Sequence, residues 1–521
     1  MAREQVVAVA EEPVGHPRRR AILVALCVAL FAVNFGTLTL AVALPTIGAE
    51  LKADNTALQW IADSYVLALA ALLIAAGSVA DRFGRRAVLL VGLAAFGMAS
   101  GLAALCATPG QLVAARAVQG VGAALIMPAT LSILRNTFPR QELAKALAAW
   151  TAVISLGIAF GPIAGGLLTE LFGWSAIFLA NVPLAVVAAV LAGALVPESR
   201  APGRRRLDHP GMALSALSLT ALVFAVIEAP HAGWLSVRTV LVLAVAVALG
   251  ALFLRVESRA EHPLVDLAMV RRPRFWSASL SVALAYFAMT GTAFLVPQYL
   301  VSVQRNDPAA TALKILPVAG GALLAAVVVT PLMRRFGART LIMAGLGATG
   351  LGLALLSLLG WWNHEWLALA ALGIQGVGIG VAVTAGSETI MSSVPPDQAG
   401  PAGAIDETAV ELGGSLGIAV MGSVFAGTYA GAVGGARGVP DGRSEEVARS
   451  IEAATAVADQ LGGAAGALVR AVAVDSFLTG LRAAALAALV FVAAGVVVAR
   501  LFLPRHDHEL AGSSTAPGGT P

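Results

Sequence analysis

The sequence predicts an all-α polytopic membrane protein with fourteen spanning helices in a six, two, six order, built from two pseudo-symmetric six-helix bundles. Three observations predict it. First, the 521 residues are 58% hydrophobic and only 12% charged, whereas a soluble domain carries about 25% charged residues. Such a chain cannot cover a water-facing surface, and the bilayer is the better solvent. Second, the basic residues gather on one side of the apolar runs. Third, one charged loop occurs twice.

Apolar runs of about 20 residues are long enough to cross a bilayer core. In the first half of the chain they fall at 21–47, 58–79, 87–107, 112–133, 143–168 and 174–196. Shorter runs follow at 212–227 and 240–254. The last six are 275–300, 311–333, 341–359, 366–385, 403–426 and 477–503. The first run follows Arg18, Arg19 and Arg20 and could pass for a secretory leader. It is far longer than a leader's apolar stretch of roughly 7–15 residues, so it reads as a span.

With residues 1–20 placed in the cytoplasm, and Lys145, Lys314, Arg482 and Arg500 near the run ends counted with the nearer side, the cytoplasmic side holds 24 Lys and Arg, the other side about nine, and Arg116 lies inside a span. Positively charged loops stay inside, and an odd number of spans would break the pattern. Both termini are therefore expected in the cytoplasm. Only Lys52, Lys145 and Lys314 are lysines, a bias that points to a GC-rich bacterial genome and hence to its cytoplasmic membrane.

The loop GSVADRFGRR at 77–86 returns as TPLMRRFGAR at 330–339, each time after the second helix of a six-helix block. The plan is then a bundle at 21–196, two inserted helices with linkers at 197–274, and a second bundle at 275–503. Parallel repeats of this kind place a substrate site between the halves, near the midplane. Residues 427–476, the longest external segment, read either as a helical hairpin over the external face or as a flexible loop. Residues 504–521 are polar and read as disordered.

Several function classes drop out. A net charge of +4 does not suggest nucleic acid. Cys27 and Cys106 sit in apolar runs without metal-ligand spacing, so no metal is expected. No histidine lies in a span and no GxxxxGK[ST] phosphate loop is present, so ATP is not the expected energy source. Neither a catalytic histidine nor a cytoplasmic domain supports a membrane enzyme or a sensor.

Four stretches carry the chemistry. In the 77–86 loop, Gly77 and Gly84 permit a tight turn. Asp81 can accept hydrogen bonds from a neighbouring helix N-terminus or pair with arginine, and so close a cytoplasmic gate; the plain alternative is that Arg82, Arg85 and Arg86 only set topology. Arg116, in ARAVQGVGAA, lies inside a span at a cost of about 2.5–3.5 kcal/mol on insertion scales and needs a partner, unless it snorkels to the surface. Asp63 on the second span has similar depth. In LGIAFGPIAGGLL, Gly157, Gly161 and Gly165 recur every four residues and admit a close helix neighbour, while Pro162 bends the backbone; Gly166 follows. Finally AIDETAVELGG at 404–414 puts Asp406, Glu407 and Glu411 inside an apolar run. Glu407 and Glu411 are i, i+4 and share a face, with Asp406 rotated about 100°. Three like charges this close in low dielectric cannot all stay ionised, which suits groups that exchange protons against a cation. A start displaced by one turn would leave Asp406 in water but Glu411 embedded.

These stretches resemble the major facilitator superfamily from residue 21 to 503: the 77–86 loop its signature loop, and Arg116 its helix-4 arginine, linked to proton transfer. Gly161, Pro162, Gly165 and Gly166 look like the antiporter motif of drug exporters, and Asn181 and Pro183 also resemble that group. With fourteen spans, the resemblance is to the drug:proton antiporter branch. Within it, LQWIADSYVLALA at 58–70 and the acids at 406–411 are similar to the quaternary-ammonium exporters. One departure is clear. The branch usually has an aspartate nine residues before the proline of its ALP; here that position is Gly36, with Asn34 two residues earlier.

The resemblance implies a monomeric antiporter, without cofactor, that exports amphipathic, cationic drugs or antibiotics by alternating access at the expense of the proton gradient. An importer, or a self-resistance exporter of one natural product, would use the same scaffold.

Overall fold

The computed structural model describes residues 16–200, 208–260, 267–362, 364–394, 399–436, 439–440 and 442–504. The expected tails therefore lie outside the described residues for 1–15 and 505–521. The described chain is helical throughout, with no strand among the described residues. Its helices are α1 (Arg19–Leu51), α2 (Asn55–Phe83), α3 (Arg85–Ala103), α4 (Pro109–Thr137), α5 (Arg140–Phe172), α6 (Ser175–Leu195), α7 (His209–Ala232), α8 (Val237–Glu257), α9 (Leu267–Val270), α10 (Pro273–Gln298), α11 (Pro308–Phe336), α12 (Ala338–Ser357), α13 (Glu365–Ser392), α14 (Ala399–Gly435), α15 (Ser444–Arg449), α16 (Ile451–Leu461) and α17 (Gly463–Phe502).

Among the described residues, thirteen helices are long and apolar enough to cross a membrane. The sequence led to an expectation of fourteen. The difference falls in α5, a 33-residue helix whose described apolar portion is the shorter Phe160–Phe172. The two inserted helices are longer than their apolar runs, at 24 and 21 residues.

The loop repeat is a structural repeat. α2 ends and α3 begins around Gly84 alone (φ 115°), and α11 passes to α12 through Gly337 alone (φ 78°). A positive φ is readily reached only without a Cβ, so each one-residue turn needs its glycine. Two further repeats appear once the helices are paired. QGVG stands at 119–122 in α4 and 375–378 in α13; SLGIA stands at 155–159 in α5 and 415–419 in α14. The packing follows them. A Cβ on Gly122 would lie 2.7 Å from Phe96 N of α3, and one on Gly378 2.4 Å from Thr349 N of α12. These glycines let α4 and α13 approach their neighbours at backbone contact.

Each bundle repeats the same neighbours: α1 with α5 and α6, α2 and α3 with α4, and, in the second bundle, α10 with α14 and α17, α11 and α12 with α13. The most extensive pairs that join the bundles are α2 with α14 and α5 with α11, each the counterpart of the other under the repeat, and α1 also meets α10 and α11. α7 docks on both α2 and α14, with Val223, Val226 and Ile227 packed on Leu67 and Ala419. The inserted pair thus covers one seam between the halves.

The 427–476 segment is mostly helical where described. α14 runs on to Gly435, and α15 and α16 fold back on α14, α17 and α1, held by Tyr429 Oη donating to Val447 O at 3.0 Å. A cavity of about 700 Å³ lies beneath α16, lined by Glu50, Arg305, Glu452, Asp459 and Arg470 among others. Ser302 Oγ donates to Glu452 Oε1 at 2.8 Å, while Oε2 is buried without a partner. Burial holds the Glu452 carboxyl above its ordinary 4.5. A carboxyl raised in this way binds more protons folded than unfolded, so its site is most stable at low pH and loses stability as pH rises through 4.5 toward the raised value. Glu452→Gln is expected to raise the melting temperature at neutral pH and to leave it unchanged near about pH 4. A lower melting temperature at neutral pH would contradict this.

Candidate functional site

α2 and α14 run antiparallel across the seam. A Cβ on Gly422 would touch Gln59, and one on Gly414 would lie 3.6 Å from Val66. Gln59 Nε2 donates to Ala419 O at 2.7 Å and to Ser423 Oγ at 3.2 Å, and Ser423 Oγ donates to Val226 O at 2.7 Å. This chain of bonds ties α2, α14 and α7 together near the end of the bundle away from Arg82 and Arg85. Reading the register from Val66 beside Gly414, Glu411 falls level with Leu69, near the middle of α2, because both helices rise about 1.5 Å per residue.

Asp63 is fully buried. Its neighbour across the seam is Ser415 of α14, and the Asp63 carboxylate and the Ser415 hydroxyl are both buried without a hydrogen-bond partner among the described residues. Ser415 continues the α14 face that carries Glu407 and Glu411, each step of four residues advancing about 6 Å. The three acids are partly exposed rather than sealed. Tyr286 of α10 lies within the electrostatic reach of all three, and Ser387 of α13 stands beside Asp406. The structure therefore brings Asp63, Glu407 and Glu411 into one line along the seam, with Asp406 to one side.

Arg116 is not the partner of Asp63. It is 1% exposed, so it does not snorkel either. Its Nη1 donates to Gln119 Oε1 at 2.8 Å and its Nε to Ile61 O at 3.3 Å, and the guanidinium lies 4.3 Å from the Tyr65 ring centroid. Gln119 in turn donates to Ser100 Oγ at 2.8 Å. The reason is helical geometry: Ile61 and Tyr65 are i, i+4 and face α4, whereas Asp63 is about 200° round the helix and faces α14.

The glycine face of α5 receives α1. A Cβ on Gly157 would lie 3.0 Å from Asn34 Cβ and one on Gly165 2.7 Å from Thr39 O, and Thr39 Oγ1 donates to Gly161 O at 3.1 Å. Gly166 points the other way, where a Cβ would lie 2.5 Å from Pro308 O of α11. Pro162 lines a narrow apolar cleft with α10, α11 and α13. So this helix packs within its bundle and across to the other. Asn34 donates to Leu30 O at 2.9 Å in its own helix. At Gly36, a Cβ would meet Asn181 Nδ2 at 3.0 Å, so the buried amide of α6 stands beside the vacant acid position.

The gate loop forms its ion pair locally. Asp81, in the last turn of α2, accepts at 2.8 Å from Arg85, the first residue of α3, across the Gly84 turn. Arg82 lies over Phe83 at 5.5 Å, and Arg86 donates to Gly193 O of α6. Gly77 has ordinary space, its nearest neighbour being Pro128 Cβ at 3.7 Å from a Cβ. The sequence reading missed Glu198, which accepts from Arg86 N and Ala87 N at 3.2 Å and caps α3. It also missed Gln59, Gln119 and Ser415. The QGVG repeat signals Gln119, and the SLGIA repeat signals Ser415; nothing local signals Glu198.

Two repeated bundles meeting at a seam that carries membrane-embedded carboxylates define a polytopic secondary-transporter scaffold. Residues 24–418 match the family described as the Major Facilitator Superfamily, and the chain belongs to that superfamily. It is 36% identical over 485 residues to the multidrug efflux pump LfrA of Mycolicibacterium smegmatis, covering 92% of this chain and 95% of the other. It is 35% identical over 410 residues to the tetracenomycin C resistance and export protein of Streptomyces glaucescens, covering 78% and 75%. With the methyl viologen resistance protein SmvA of Salmonella typhimurium it shares 31% over 434 residues, covering 82% and 86%. Among solved structures, a bacterial homologue of the human lysosomal transporter Spinster, inward-facing and occupied, superposes with a TM-score of 0.67 at 16% identity, covering 95% and 98%. At that identity the likeness concerns the fold.

Proposed function

We propose that this protein is a proton-coupled efflux antiporter that exports toxic amphipathic, cationic drugs or antibiotics across the bacterial cytoplasmic membrane by alternating access. The observation that carries the reading is the line of acids on α14, Glu407 and Glu411, which leads through Ser415 to buried Asp63 on the other half of the molecule. A carboxylate ladder on the seam is altered by any rocking of the halves. It can hold protons or neutralise a substrate cation, and the two compete for the same groups. Protons taken up from outside release the drug; protons lost inside allow the next to bind. The arginine-rich end then faces the cytoplasm, as do both termini, and the proton-motive force drives the cycle with no cofactor. The functional unit is the monomer. Relatives named for resistance to one compound, tetracenomycin C or puromycin, favour a second reading on the same mechanism, a dedicated self-resistance exporter.

Purified protein in proteoliposomes tests this. Adding a cationic dye to the side of the arginine-rich end is expected to release protons, and an imposed proton gradient to drive dye toward the acidic side. Dye movement that ignores the proton gradient, or that runs with it as uptake into cells, would overturn the reading.

A further inference from the structure

In the N-terminal bundle the place where α3 begins and α6 ends contains its own anion, the Glu198 carboxylate on Arg86 N and Ala87 N. A Cβ on Gly84 would lie 2.6 Å from that carboxylate, so the turn is shaped around it. The C-terminal bundle has the matching junction, where α12 begins and α17 ends, with Arg339 in the repeat position of Arg86. It has no matching acid in sequence. Val196, Pro197 and Glu198 follow α6, but Leu503, Pro504 and Arg505 follow α17. In place of a carboxylate there is a groove of about 300 Å³ lined by Arg339, Thr340, Met343 and Arg500. Arg339 and Arg500 come from different helices, and neither has an ion pair or hydrogen bond among the described residues. Val497, Leu501 and Phe502 expose an apolar surface on the same end of α17.

We propose that this groove binds the phosphate of an anionic phospholipid headgroup, replacing in the second bundle the anion that Glu198 supplies in the first. Two guanidinium groups lining one groove suit phosphate oxygens because each presents several N–H donors in a fixed plane. The Thr340 hydroxyl adds a donor, and Met343 with the outer face of α17 receives an acyl chain. Basic pockets between spanning helices at the cytoplasmic surface are where such headgroups settle. The lipid is favoured over free phosphate because the groove opens beside apolar helix surface that only an acyl chain would cover.

Native mass spectrometry of the full chain in detergent, with phosphatidylglycerol and phosphatidylcholine offered in equal amounts, tests the site. The wild type is expected to retain phosphatidylglycerol about tenfold better, and Arg339→Gln with Arg500→Gln to bring the two lipids to parity. Arg339→Lys with Arg500→Lys retains part of the preference, which separates loss of charge from loss of fold. Millimolar inorganic phosphate leaves the retained lipid in place. Equal retention by the wild type, or a preference that survives both glutamines, would overturn the proposal. Displacement by inorganic phosphate would assign the groove to the free anion, and a preference seen only after removal of residues 505–521 would assign it to the chain's own tail.

Discussion

Glu411→Gln is expected to lower drug efflux about a hundredfold, to the level of cells without the transporter, while the protein reaches the membrane in normal amount. Glutamine has the shape and the hydrogen-bonding atoms of glutamate but can neither hold a full charge nor release a proton at this pH. Glu411 is partly exposed and pairs with no basic group among the described residues, so the exchange leaves no buried partner behind, and its effect on stability is expected to stay within about 0.5 kcal/mol. The loss therefore reports on chemistry. Glu407→Gln should behave alike, being one turn away on the same face. Asp406→Asn should cost less, since it sits about 100° off that face, on the side of Ser387 of α13. Cell resistance, dye efflux and drug-induced proton release in proteoliposomes measure the three variants. Unchanged resistance with unchanged proton release in Glu411→Gln would remove the acid ladder from the mechanism.

The order of these effects depends on facts of two kinds, and the sequence carried only one. That the acids lie inside a helix, with Glu407 and Glu411 on one face, follows from local spacing. That the same face continues to Ser415 and meets Asp63 depends on the α2–α14 register, between segments about 350 residues apart, which no local pattern encodes. That Arg116 does not meet Asp63 is hidden for the same reason: their similar depth is legible in the sequence, but which face of α2 meets α4 is not. The bundle repeat was legible because RFG marks a turn that needs a positive φ. QGVG and SLGIA were equally present, yet glycine-rich strings acquire meaning only when a neighbour's backbone is seen 2–3 Å from the missing Cβ. The stretch GTYAGAVGG opens the 427–476 segment, which reads from sequence either as a helical hairpin or as a flexible loop. It is helix because α15 and α16 cover it, with Tyr429 and Val433 fully buried, and packing outweighs the roughly 1 kcal/mol that each glycine costs.

Arg116 is expected to matter as much as the acids, but for a different reason. Arg116→Met preserves much of the volume yet strips Gln119 Oε1 and Ile61 O of a donor and Tyr65 of the cation over its ring. Leaving buried polar groups unpaired costs about 1–3 kcal/mol each, so a clear fall in melting temperature follows. Arg116→Lys should do little better. A lysine is a compact point donor on a flexible stem and cannot span a carbonyl, an amide and an aromatic face at once. Both variants are expected to lose resistance. The arginine clamps α4 against the 61/65 face of α2, and that clamp sets how the opposite face presents Asp63 to α14. Because Arg116 itself stands behind the seam, dye binding measured by fluorescence should stay within about threefold of the wild type, the range of indirect effects, while proton release coupled to binding disappears. Full resistance in Arg116→Met would reduce the residue to a packing element that the cycle can do without. Loss of dye binding in Arg116→Lys, at unchanged melting temperature, would place the guanidinium in contact with substrate and so contradict the geometry in which Ile61 and Tyr65, not Asp63, face α4.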